Sequence, residues 1–261
     1  MAADKPNEVD LEDLFSAESA QAVRLGSIVV DKLSQAILDG RLREGDALPS
    51  ESRIANSFGV SKQIAREAIR DLTAMGVVKA QQGKVARVCA LDVEPLGRFF
   101  RFAVRGSANG LAEAVELRRI LEPQVASLAA LRHTPEQIDE FKLILTRMHA
   151  SLGDIPAWIE ADLDFHAMLG NMCGNRLLKF QLRALRPVTH EIMEMFNSQS
   201  DRSRQDWERT YERHRLIYDV IAAADAPGAS VAMHSHFAAA DDRLRSLFPD
   251  ADLHDLSAGA K

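Results

Sequence analysis

The chain has 261 residues, 46% of them hydrophobic and 6% aromatic, with a formal net charge of −6. That length suits two domains better than one, and the scarcity of Gly, Pro and aromatic residues favours helices over a β-sandwich. An acidic total by itself argues against nucleic-acid binding, and no apolar run approaches the ~20 residues of a membrane span, so no membrane partner is expected.

Residues 1–19 hold one Lys and six acids and show no sustained period, so they are expected to form a flexible acidic tail. The N-terminus lacks the basic stretch of a signal peptide, and Cys89 and Cys173 stand far apart without a CxxC spacing. Reduced thiols and a cytoplasmic location are the expectation. From about Ala20 the apolar residues Val23, Ile28, Val29, Leu33 and Ile37 fall at helical spacing, up to a C-cap at Asp39–Gly40. Arg43 to Asp46 reads as a turn. Ser50 then caps a second helix that stops near Gly59, and Ser61 caps a third that ends at Met75–Gly76. Val77–Ala80 and Val85–Cys89 are short β-prone runs around Gln81 to Lys84, a hairpin or wing.

Residues 20–90 hold eleven basic and seven acidic residues, whereas residues 91–261 hold twenty and twenty-five. A locally basic segment in an acidic chain is the electrostatic footprint of an attached DNA-binding module. Two short helices joined at Phe58 to Ser61 make a helix-turn-helix, whose second helix presents Lys62, Gln63, Arg66 and Arg70 on one face. Lys and Arg reach guanine or phosphate, and Gln pairs with adenine.

Beyond residue 91 only helical patterns occur, seven of them, near 94–105, 109–131, 135–151, 156–172, 175–198, 204–223 and 227–247. The expected organisation is therefore mainly α. A winged helix-turn-helix spans 20–90, an antiparallel bundle of about seven helices spans 91–248, and a tail occupies 249–261. Asp162 and His166 stand four apart and share a helix face that can hold one metal ion. His214 and His236 lie either side of a turn at Asp225–Gly228, each about ten residues (~15 Å) from it. A helical hairpin would bring them face to face, although His234, two residues from His236, competes for the place. One Asp and three His suit a divalent transition metal such as Zn²⁺, Ni²⁺ or Mn²⁺.

The run from Ile37 to Glu51, with Gly59 to Lys62, Arg66 to Arg70, Leu72 and Gly76, resembles the signature of the GntR family. That resemblance implies a winged helix-turn-helix homodimer on a near-palindromic double-stranded DNA operator. It places DNA contacts at Ser52, Lys62, Gln63, Arg66 and the wing tip Gln82–Gly83. The family usually has Arg where Ser52 stands, and Arg53 beside it is turned by about 100°. It often has Arg in place of Lys62, and Lys lacks the planar bidentate fork. Glu116 to Glu122, Asp162 to His166 with Gly174–Asn175, and His214 and His236 resemble the FCD ligand-sensing domain of the FadR subfamily. This resemblance implies Asp162, His166, His214 and His236 as metal ligands and Arg118 as the anchor of an effector carboxylate. The alternative role for Arg118 is an ion pair with Glu122 one turn on.

The function expected is a regulator, by family inclination a repressor, whose operator affinity is set by a small organic acid bound between metal and Arg118. A metal-dependent hydrolase is the competing reading, and it lacks a His-Glu-x-x-His or comparable general base. A metal-free helical domain that binds an acyl ligand or serves only dimerisation is the third.

Overall fold

The computed structural model describes residues 17–81, 84–198 and 203–248. The chain forms two compact units, one up to Pro95 and one from Leu96 onward. In the first, α1 (Ala17–Leu38), α2 (Glu51–Phe58) and α3 (Lys62–Ala74) precede β1 (Val78–Lys79) and β2 (Arg87–Val88). Helix α1 begins three residues ahead of the expected start. The rest of the expected acidic tail, the wing tip Gln82–Gly83 and the tail from residue 249 lie outside the described residues.

Local chemistry sets these boundaries. The Ser50 side chain accepts from the Arg53 backbone N–H and the Ser61 side chain from that of Ile64, each satisfying an otherwise orphaned donor of a first helical turn. Gly59 ends α2 in the left-handed region at φ 65°, where a Cβ is disfavoured. Val29, Leu33, Ile54, Leu72, Val78 and Val88 form the core, with Ala65 and Ala68 as the small residues of α3 that face it. The wing is antiparallel, with Val78 opposite Val88 and Lys79 opposite Arg87. Its strands are shorter than the β-prone runs, and the other edge of β2 pairs with the segment before α2. Leu48 N–H donates to the Ala86 carbonyl, and Gly45 N–H to that of Val88. The expected turn at Arg43–Asp46 thus leads into a third edge of the wing, seen as a bridge between Ala47 and Arg87.

The second unit is helical throughout its described residues: α4 (Glu94–Arg105), α5 (Gly110–Arg132), α6 (Pro135–Ala150), α7 (Ile155–Met172), α8 (Arg176–Ser198), α9 (Arg204–Ala222), α10 (Ala226–Ala238) and α11 (Asp241–Leu247). The last of the seven expected helices is broken in two at Ala239–Ala240. Helix α5 packs on α10, α8 and α9 as well as on α7, which is flanked by α6 and α8. The core holds Phe141, Met148, Trp158, Phe165, Leu169 and Ile217, all fully or almost fully buried. Three residues, with Ala224 at φ 55°, link α9 to α10 and turn them into a hairpin.

Candidate functional site

Helix α7 is buried along most of its length, and its inward face includes two polar side chains, Asp162 and His166. The hairpin of α9 and α10 brings His214 and His236 against them. The His214 and His236 ring centroids are 4.4 Å apart, and those of His166 and His236 5.3 Å. Each of the three imidazoles offers a nitrogen within 4.8 Å of the others. His234 does not join them; its Nδ1 pairs with the Ser230 carbonyl at 2.9 Å along its own helix.

The surroundings fix how these rings point. His214 Nδ1 donates to the Thr210 carbonyl at 2.9 Å, so in the neutral ring Nε2 carries the lone pair. That Nε2 lies 3.0 Å from Asp162 Oδ1 but makes no hydrogen bond. Only a proton or a cation between the two atoms makes such a contact attractive. His166 Nδ1 pairs closely with the Glu122 carboxylate, and its Nε2 turns toward Asp162 Oδ2 at 3.8 Å. His236 Nδ1 is a second buried nitrogen with no partner. Burial pushes the Asp162 carboxyl up, but the imidazoles around it, His214 first, hold it well below the usual carboxylate range. Burial, reinforced by His214 and His166, holds the His236 imidazole well below its ordinary value, so the ring is neutral and free to donate a lone pair.

Glu122 is fully buried and ties two of these features together. Its Oε1 accepts from Arg118 Nε at 2.5 Å, and its Oε2 pairs with His166. Burial pushes this carboxyl up, and Arg118 and His166 bring it below the usual range. The ion pair weighed for Arg118 thus exists, yet it uses only Nε, and Arg118 still lines a cavity of about 620 Å³ together with Asp162, His166 and His236. Arg118 also stands 5.4 Å from the Phe237 ring centroid. The link from Glu122 to His166 crosses 44 residues, and no local spacing could have signalled it. Arg213, another cavity residue, was hidden among the many charges of α9.

In the first unit, Lys62, Gln63, Arg66 and Arg70 are exposed on α3, Arg53 is exposed on α2, and Ser52 is half-buried. Arg66 forks onto Glu51, with Nε to Oε1 at 3.0 Å and Nη2 to Oε2 at 2.9 Å. That fork holds Glu51 below the usual carboxylate range. Arg70 pairs with Glu67 at 2.7 Å.

A winged helix-turn-helix joined in one chain to a helical unit with a buried polar cavity defines a DNA-binding transcription regulator. Residues 25–88 match the model of the gntR family of bacterial regulatory proteins, and residues 113–239 match the FCD domain. The HTH-type transcriptional repressor NanR of Escherichia coli K12 is 30% identical over 224 residues, covering 82% of this chain and 81% of NanR. The HTH-type transcriptional regulator LutR of Bacillus subtilis is 29% identical over 222 residues, covering 82% and 98%. Streptococcus agalactiae GntR shares the fold, with a TM-score of 0.64 at 24% identity over 83% of this chain and 99% of that one. This chain belongs to the gntR family of bacterial regulatory proteins and carries an FCD effector-binding domain. Its relatives are regulators and not enzymes, which sets the hydrolase reading aside. No helix among the described residues is long and apolar enough to cross a membrane.

Proposed function

We propose that this chain is a cytoplasmic, homodimeric repressor that leaves its operator when a small carboxylate binds in the helical unit beside a divalent metal. The observation that carries this reading is the pair of buried nitrogens without a hydrogen-bond partner, His214 Nε2 and His236 Nδ1, gathered with Asp162 and His166 beside a cavity that Arg118 also lines. The donor set, three imidazoles and one carboxylate, fits a divalent transition ion such as Zn²⁺, Ni²⁺ or Mn²⁺. Such an ion would supply a Lewis-acid site for the carboxylate and hydroxyl oxygens of the effector.

The chain's own residues do the rest. Glu122 holds His166 in one tautomer, and Thr210 does the same for His214. Arg118, fixed through Nε by Glu122, presents its terminal nitrogens to the effector carboxylate. The cavity is also lined by Leu244 of α11 and by Ala239 and Ala240 at the break before it, so a bound effector touches both sides of that break. A change in bundle packing that binds effector better than the operator-competent state lowers DNA affinity by the same differential. On the DNA, Lys62, Gln63 and Arg66 read or grip the major groove from α3. Ser52 and Arg53 hold the backbone. The repressor in the name of the Escherichia coli relative supports the sign.

The reading is tested by fluorescence anisotropy on the chain's own upstream DNA with Zn²⁺-loaded protein. Hydroxycarboxylates should release the DNA from wild type and not from Arg118→Gln. Release by the same acids from Arg118→Gln would rule out the assigned role of Arg118. Tighter binding on adding acid would reverse the sign to activation.

A further inference from the structure

Three guanidinium groups line the cavity, and their charges are not alike. Arg118 is matched by Glu122 at 2.5 Å, and Arg209 by Asp206 at 2.8 Å. Arg213 has no acidic partner among the described residues. Its Nε is buried without a hydrogen bond, and Nη2 donates only to the neutral Thr210 Oγ1 at 3.1 Å. Thr210 in turn fixes His214 through its carbonyl, so one residue positions both the unmatched cation and a ring of the imidazole cluster. Arg213 and His214 are neighbours on α9, about 100° apart around the helix. A cation kept half-buried with no counter-charge is costly unless a ligand supplies that charge.

The ledger of the cavity points the same way. With Arg118 and Arg209 matched internally, Asp162 offsets one charge of a divalent ion, and Arg213 adds another. One carboxylate leaves the site positive, whereas two anionic groups neutralise it. A cavity of about 620 Å³ also has room beyond a single chelating head group.

We infer that Arg213 is a specificity-determining residue that selects effectors carrying a second anionic group, carboxylate or phosphate, besides the one bound at the imidazole cluster and Arg118. This rests on the carboxylate-effector reading above and narrows it to dianionic acids.

Titration calorimetry of Zn²⁺-loaded protein with matched acids tests the inference. Gluconate carries one anionic group, glucarate adds a carboxylate, and 6-phosphogluconate adds a phosphate; lactate and malate form a shorter pair. Wild type should bind at least one dianion about 10- to 100-fold tighter than its monoanionic match, the range of a charge-assisted hydrogen bond. Whether glucarate or 6-phosphogluconate gains more identifies the second group. Arg213→Gln should erase that gain, lowering dianion affinity far more than that of the monoanionic match while zinc stays bound, and Arg213→Lys should keep part of it. An undiminished gain in Arg213→Gln, or equal affinity for both members of every pair in wild type, would overturn the role of Arg213 and leave the carboxylate reading intact. Binding of none of the five acids to wild type would overturn both.

Discussion

Glu122 has no solvent exposure and serves two neighbours at once, Arg118 and His166. Removing its charge leaves Arg118 buried without a counter-ion and lets the His166 ring turn. Breaking a buried pair from one side costs about 3–5 kcal/mol, and losing a carboxylate behind a ligating imidazole costs about 10- to 100-fold in metal affinity. Glu122→Gln should show both, in denaturant unfolding and in a zinc competition titration; an unchanged zinc affinity would mean that Glu122 does not orient His166. His236 makes the second prediction at this scale. Its folded-state value lies well below the 6.5 of the free ring. In metal-stripped protein the unfolded chain takes up a proton near pH 6.5 that the folded chain refuses. Stability is therefore unaffected above that pH and falls as pH drops through it. Unfolding at pH 7.5 and 5.5 should show a larger loss for wild type than for His236→Leu, and equal losses would contradict the assignment. Residue identities were legible where one helix or one turn sets the spacing, as at Asp162 with His166 and at His214 with His236. Glu122 was legible as the partner of Arg118 one turn away but not as that of His166, which lies on another helix, and Arg213 was not legible, because its importance comes from the absence of an acidic partner.

At the scale of elements, the caps at Ser50 and Ser61 and the left-handed Gly59 follow from residue chemistry that a short window contains. The break at Ala239–Ala240 does not, since Ala favours helix continuation. Tertiary contacts make it: Arg119 of α5 donates to the Phe237 carbonyl at 3.3 Å and pairs with Asp241 at the start of α11. The wing is similar, its third edge supplied by residues whose sequence reads only as a turn. Gly76, which leads from α3 into the wing, sits at φ 75°, and a Cβ there would lie 2.6 Å from the Asp92 carbonyl oxygen. Gly76→Ala should therefore destabilise by more than the roughly 1–2 kcal/mol of a left-handed conformation alone. A urea midpoint within error of wild type would show that the segment around Asp92 yields freely. On α3, Lys62→Ala should weaken DNA binding and lower the slope of log K against log salt by about 1 if Lys62 grips a phosphate, and by less if it reads a base. An unchanged affinity would remove Lys62 from the interface.

For the whole molecule, each unit has its own apolar core, one around Ile54 and Leu72, the other around Trp158 and Phe165. An ion bound between α7, α9 and α10 as proposed would stabilise the helical unit directly, by an amount that grows with the logarithm of metal concentration over its dissociation constant. The division into a DNA-binding unit and a helical unit was visible in charge distribution and helical period; the cavity that joins Asp162, His166 and His236 to Arg118 required the fold. The central claim is that the three imidazoles and Asp162 hold a metal, and the metal content of the purified protein beside a His214→Ala/His236→Ala variant tests it most directly. About one equivalent of a divalent transition metal per chain in wild type, lost in the folded variant, is the result predicted. No metal in wild type even after incubation with Zn²⁺ or Ni²⁺, or equal metal in both proteins, would contradict it.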